Sequence, residues 1–134
     1  DVFWALEGLK ERVGGGAGAV LYTGAVEPAE GERYEWQYGV AAADLLAEDW
    51  SVAASALSAL AHPVRLLLLR EVLRGRHAAA ELSEVEGLGT SGQLYHHLRQ
   101  LVSAGWLRAS SRGTYQVPGQ RVIPLLTVIA AAQR

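Results

Sequence analysis

Two adjacent histidines in the run GLGTSGQLYHHLRQLVSAGWL, residues 87–107, are the side chains best equipped for chemistry. His96 and His97 could ligate a metal or move a proton, and Ser91 just upstream could act as a nucleophile. The spacing argues against all three. Neighbouring residues on a helix project about 100° apart, so this pair cannot comfortably clamp one ion, whereas histidines four apart would share a face. Ser91 has no orienting acid in a sensible place, and no other nucleophile has a plausible base. There is no cysteine to supply a thiolate, a disulfide or a nucleophile. The glycine run GGGAG (14–18) lacks the lysine and the strand–turn–helix setting of a phosphate loop. The sequence thus points to no catalytic residue, no metal site and no cofactor, and to a protein that is not an enzyme.

What remains is binding chemistry. His97 follows Leu94 by three residues and leans towards the core as a hydrogen-bonded structural histidine, while His96 looks outward. Thr90, Ser91, Gln93, Tyr95 and Arg99 join His96 on the polar side of the same stretch. Gln93 could form paired hydrogen bonds with adenine, and Arg99 could hold guanine or phosphate. Tyr95 could cover a thymine methyl, bond a phosphate, or pack on a neighbouring helix. Downstream, Arg108, Ser110, Ser111 and Arg112 frame a tight SRG turn, and Arg112 beside Gly113 is the strongest candidate for phosphate or a minor groove. Arg65, Arg70, Arg74 and Arg76 read as a solvated face.

Charge supports the same division. Residues 1–61 hold Lys10, Arg12 and Arg33 against ten acidic residues, a net −7, whereas residues 62–134 hold nine arginines against four glutamates, a net +5. The basic part uses arginine alone, the better residue for forked contacts to phosphate and guanine. Such asymmetry suggests that one half faces a polyanion. No apolar run approaches the roughly 20 residues needed to span a bilayer, nothing resembles a signal peptide, and the lack of cysteine fits a cytoplasmic setting. With no methionine even at position 1, the sequence reads as a trimmed one.

The elements that must position these residues follow from periodicity. Phe3, Leu6, Leu9 and Val13 predict a short amphipathic helix that the GGGAG run ends. AVLYTGAV and YEWQYGV, joined by the polar turn EPAEGER, predict a β-hairpin whose alternation places Tyr22, Tyr34, Trp36 and Tyr38 on one face. That face either packs on its neighbours or walls a pocket for a small aromatic or apolar effector. Asp44 is a plausible cap for a helical stretch that breaks near Trp50–Ser51. PVRLLLLREVLRG predicts a new helix begun by Pro63 and ended by Gly75, AAAELSEVEG a third, and the residues from Thr90 to Ser103 a fourth stopped by Gly105. WLRAS and TYQVP predict a hairpin. VIPLLTVIAAA, with Pro124 in its first turn, predicts an apolar helix that must be buried in this core or against a second subunit, and the small size of the chain favours the second subunit.

Helix, helix, tight glycine-containing turn, helix and hairpin form the order of a winged helix-turn-helix. The segments LAHPVRLLLLREVLRG and AAELSEVEGLGTSGQLYHHLRQLVSAGWL, with the hairpin that follows, resemble the ArsR-type winged-helix transcriptional regulators. Those proteins carry a similar LxxPxRLxIL helix and an HHLxxLxxAGL signature. The resemblance covers roughly residues 53–134. It implies sequence-specific binding to double-stranded DNA as a homodimer built from the first and last helices, often with an inducing metal. The metal is not expected here, because the chain has no cysteine and VIPLLTVIAAAQR offers no ligand.

The expected fold is mainly α with small β (α+β), a winged helix-turn-helix over 51–134 preceded by an accessory, dimerising or sensing unit over 1–50. The expected function is a DNA-binding transcriptional regulator. The alternatives are a winged helix used as a protein-interaction module and a small-molecule-binding regulator that uses the aromatic hairpin.

Overall fold

The computed structural model describes residues 2–133. The leucine spacing of the second half builds the core. After α3 (Ala54–Leu60), α4 (Pro63–Leu73) opens on proline and is capped by the His62 ring, whose Nδ1 accepts the Val64 N–H at 3.2 Å. Leu68, Leu69 and Val72 of α4 meet Leu94, Leu98 and Leu101 of α6 (Ser91–Ser103) in one buried cluster. Trp106 closes its edge and donates its indole N–H to the Ala56 carbonyl at 2.9 Å. Between α4 and α6 the predicted third helix shrinks to one turn, α5 (Ala79–Leu82). The Ser83 hydroxyl bonds back to the Ala80 carbonyl at 2.7 Å, and Glu84 and Val85 bond three residues back, so the chain tightens and leaves the helix.

The first half is layered differently. β1 (Ala19–Ala29) and β2 (Glu32–Ala41) pair antiparallel, with Tyr22 opposite Tyr38, Gly24 opposite Trp36 and Val26 opposite Tyr34. The strands run further than the sequence suggests. Only Glu30 and Gly31 turn, Gly31 in the left-handed region (φ 81°), and the register slips between Val26 and Ala29. That bulge accommodates Pro28, which has no N–H for a ladder. The short helix α2 (Ala42–Ala47) follows directly, and its cap position is Ala41, not Asp44. The predicted break falls where Asp49 takes the Ser51 N–H at 3.0 Å and starts a 3₁₀ turn, Trp50–Ala53.

The second hairpin, β3 (Arg108–Ser110) and β4 (Thr114–Gln116), is only three residues a side. α7 (Gly119–Ala132) then crosses both halves. Val122 and Leu125 are buried, and Val122, Leu125, Leu126, Val128 and Ile129 belong to or pack against the main cluster. Ile123, 2% exposed, lies over Gly24, where an added Cβ would come within 2.8 Å of its side chain. Burial of this apolar helix therefore comes substantially from the chain's own core and hairpin, the less favoured of the two sources the sequence allowed. Pro124 also sits one turn later than expected, the sixth residue of the helix.

Helices predominate and both sheets are two-stranded and antiparallel, an α+β arrangement. Among the described residues no single helix is long and apolar enough to cross a membrane.

Candidate nucleic-acid interface

The candidate face begins at the cap of α6. The Thr90 hydroxyl accepts the Gln93 N–H at 3.3 Å, and Gln93 Oε1 accepts the Thr90 N–H at 3.0 Å, a reciprocal capping box. Gly89, with φ 79°, lies directly against the Gln93 amide, so the turn before the helix needs both the backbone freedom and the missing side chain. From this start Leu94, His97, Leu98 and Leu101 point inward and are buried. Ser91, Gln93, Tyr95, His96 and Arg99 remain exposed. All the side chains expected on the outer face of this helix are there, but Gln93 is committed. Paired bonding to adenine through its oxygen and nitrogen would require the box to open.

The arginines divide by partner. Glu71, buried on α4, gathers Arg70 at 3.1 Å, Arg74 at 3.5 Å and Arg76 at 3.6 Å. These three arginines, expected to be merely solvated, form a charge cluster around one carboxylate. Arg65 is withdrawn as well, its Nε donating to His97 Nδ1 at 3.1 Å. Arg99 and Arg112 are exposed, and neither has a carboxylate within ion-pair distance among the described residues. Among the described residues the Arg108 side chain bonds only the neutral Gln116 amide, at 3.0 Å across the strands. Arg112 sits at the hairpin tip with φ 66°, a left-handed conformation that a side chain rarely adopts. The turn around it is held by Thr114, whose hydroxyl donates to the Ser111 carbonyl at 3.1 Å and contacts the Ser110 hydroxyl.

His97 answers the question of the paired histidines. Its Nδ1 is the acceptor for Arg65, so the neutral ring carries its proton on Nε2. The ring lies against His62 (4.4 Å between centroids) and His96 (5.4 Å). Burial lowers its pKa below the ordinary 6.5, and the nearby His62, Arg65 and His96 lower it further. Among the described residues no group of three or more His, Cys, Asp or Glu is arranged to hold a metal ion.

The aromatic face of the first hairpin is brought together in part. Tyr22 and Tyr38 touch, ring centroids 5.7 Å apart, and α7 lies across the sheet, with Gly119 beside Tyr34. Trp36 and Tyr38 stay half exposed. Tyr34 borders a cavity of about 20 Å³ with Glu32, Val72, His77 and Val117, too small for an organic effector.

Three features escaped the sequence reading: the His62–His97–Arg65 contact, the Glu71 cluster and the Glu32–His77 seam between the two hairpins. Only the second had a signal, since Arg74 follows Glu71 at i+3. The others join residues more than 30 positions apart. No protein-family model matches this sequence, and no curated protein matches it.

Proposed function

We propose that this chain is a sequence-specific DNA-binding transcriptional regulator of the winged helix-turn-helix type, ArsR-like, acting as a cytoplasmic homodimer. In this reading α5 and α6 form the helix-turn-helix, α6 presents Thr90, Ser91, Tyr95, His96 and Arg99 to the major groove, and β3–β4 is a wing that carries Arg108, Ser111 and Arg112 to the flanking backbone. The observation that carries it is the partition of arginines. Arg70, Arg74 and Arg76 surround Glu71 and Arg65 is bound to His97, while Arg99 and Arg112 project without a carboxylate partner among the described residues. Unpaired exposed guanidinium groups on one helix and one hairpin tip are what phosphate and guanine contacts require.

The dimer rests on an apolar groove of about 440 Å³ between α4 and α7, lined by Leu66, Leu67, Leu73, Leu126 and Ile129. The regulator is not a metal sensor in this reading, since the sequence has no cysteine and VIPLLTVIAAAQR offers no ligand.

Selection of bound fragments from random duplex DNA tests the proposal. On the selected site Arg99→Ala costs about 1–3 kcal/mol and relaxes base choice. Arg112→Ala weakens binding to every sequence and lowers the salt slope by about one. Failure to enrich any sequence at low ionic strength, or equal losses for both variants on selected and random DNA, would overturn the reading.

A further inference from the structure

The outer face of β1–β2, opposite the one that α7 covers, holds a second feature. Leu21 and Thr23 lie here, with Gln37 paired directly across from Thr23. α1 (Trp4–Arg12) rests over them and encloses a cleft of about 440 Å³, bordered also by Trp4, Leu9 and Arg12. The helix spans the cleft without filling it. None of its residues is fully buried, and the side chain that could plug the middle is missing, because Gly8 stands there. An added Cβ at Gly8 would meet only the Arg12 guanidinium, at 3.4 Å.

The walls are largely apolar and the polar groups are few, which is the make-up of a small-molecule site, and the volume lies within the usual range. Arg12 donates to the Gly8 carbonyl at 2.8 Å and has no carboxylate within ion-pair distance among the described residues. Lys10, by contrast, is paired with Glu7 at 3.6 Å. The Thr23 hydroxyl is spent on the Trp36 carbonyl at 3.1 Å, while among the described residues no hydrogen bond engages the Gln37 side-chain amide.

We propose that this cleft binds a flat, apolar organic monoanion, an aromatic carboxylic acid of one or two rings. The ring would lie between Trp4 and Leu21, and the carboxylate would take the fork of Arg12, with the Gln37 amide as a second donor. The net −7 of residues 1–61 disfavours a polyanion at this lone cation. The inference stands apart from the DNA reading, because uptake is measured without DNA.

The test is calorimetric titration of the whole chain with 2-naphthoate and with its neutral amide, 2-naphthamide. One molecule of 2-naphthoate binds per chain, at least about tenfold tighter than the amide. Arg12→Gln removes that preference and leaves the circular dichroism unchanged. Gly8→Leu, which favours the helix, fills the cleft and weakens both ligands at least about tenfold. The proposal is overturned if 2-naphthoate shows no saturable binding up to about 1 mM. It is equally overturned if Arg12→Gln keeps the preference for the acid, or if Gly8→Leu leaves the affinities unchanged.

Discussion

Residues 2–53 and residues 54–133 use apolar side chains in opposite ways. No residue of the first group is fully buried, whereas the whole buried cluster lies from Ala59 to Leu125. Among the described residues, ten of the twelve large apolar side chains that stay exposed belong to the first group, from Val2 to Val52. The second group therefore draws its stability from its own core and holds α6 and β3–β4 on a rigid frame. The first is ordered by the ladder of a long hairpin and by α7, and it leaves most of its large apolar side chains exposed. The second group thus offers a polar face fixed on a buried core, and the first an exposed apolar surface.

The largest effect that can break this comparison is a pair of matched truncations. Leu98→Ala, at a site 0% exposed, lowers the stability by about 2–5 kcal/mol. Leu6→Ala, at a site 47% exposed, costs less than about 0.5 kcal/mol. Urea unfolding of both variants measures the contrast, and comparable losses would mean that α1 is covered in solution.

Acidification probes the second group alone. Burial and the His62, Arg65 and His96 charges hold the His97 pKa below 6.5, so the unfolded chain takes up this proton more readily than the folded one. The stability contributed by the neutral ring is complete above about pH 6.5 and is lost as the pH falls through that value towards the lowered one. His97→Gln keeps an acceptor for Arg65 and removes the titration. The urea midpoint of this variant falls less between about pH 7.5 and pH 5.5 than that of the parent. Parallel curves for the two proteins would show that the ring is not held neutral.

Gln93 separates a structural role from a contact role on the proposed recognition helix. Gln93→Ala opens the capping box and costs about 1 kcal/mol. Gln93→Glu retains the box and, at the N-terminus of a helix, leaves the stability nearly unchanged. If Gln93→Glu keeps both the stability and the choice of DNA site, Gln93 serves the cap alone.

The second group was the more legible in sequence, and for a physical reason. Its elements are local and punctuated: Pro63 opens α4, Gly75 and Gly105 stop α4 and α6 in the left-handed region, and Thr90 caps α6. Leucines at helical spacing then decide which face turns inward, and the exposed row of α6 follows. The hairpin of the first group was equally readable from alternation, but its partners were not. Nothing in YEWQYGV reveals that Gly24 makes room for Ile123, a contact between residues almost a hundred positions apart. The stripe Phe3, Leu6, Leu9 and Val13 called correctly for a helix, yet it could not tell a covered face from one left open. Phe3 and Leu6 are in fact exposed.

The smallest effect lies at the seam where the two groups meet. Glu32 accepts the Tyr34 hydroxyl at 3.4 Å and approaches His77 Nε2 at 3.9 Å, while His77 Nδ1 bonds the Tyr115 carbonyl at 3.0 Å on the second hairpin. A carbonyl can only accept, so Nδ1 carries the proton, and in the neutral ring Nε2 turns a lone pair towards the carboxylate. Both side chains are about one-third exposed, so water screens what attraction remains. A double-mutant cycle of Glu32→Gln and His77→Gln gives a coupling below about 1 kcal/mol in urea unfolding at neutral pH. Such a value leaves the two groups joined chiefly through α7 and its packing on the hairpin. A larger coupling would make the seam a structural strut, and the contrast between a self-sufficient core and an appended contact surface would have to give way to a single cooperative unit.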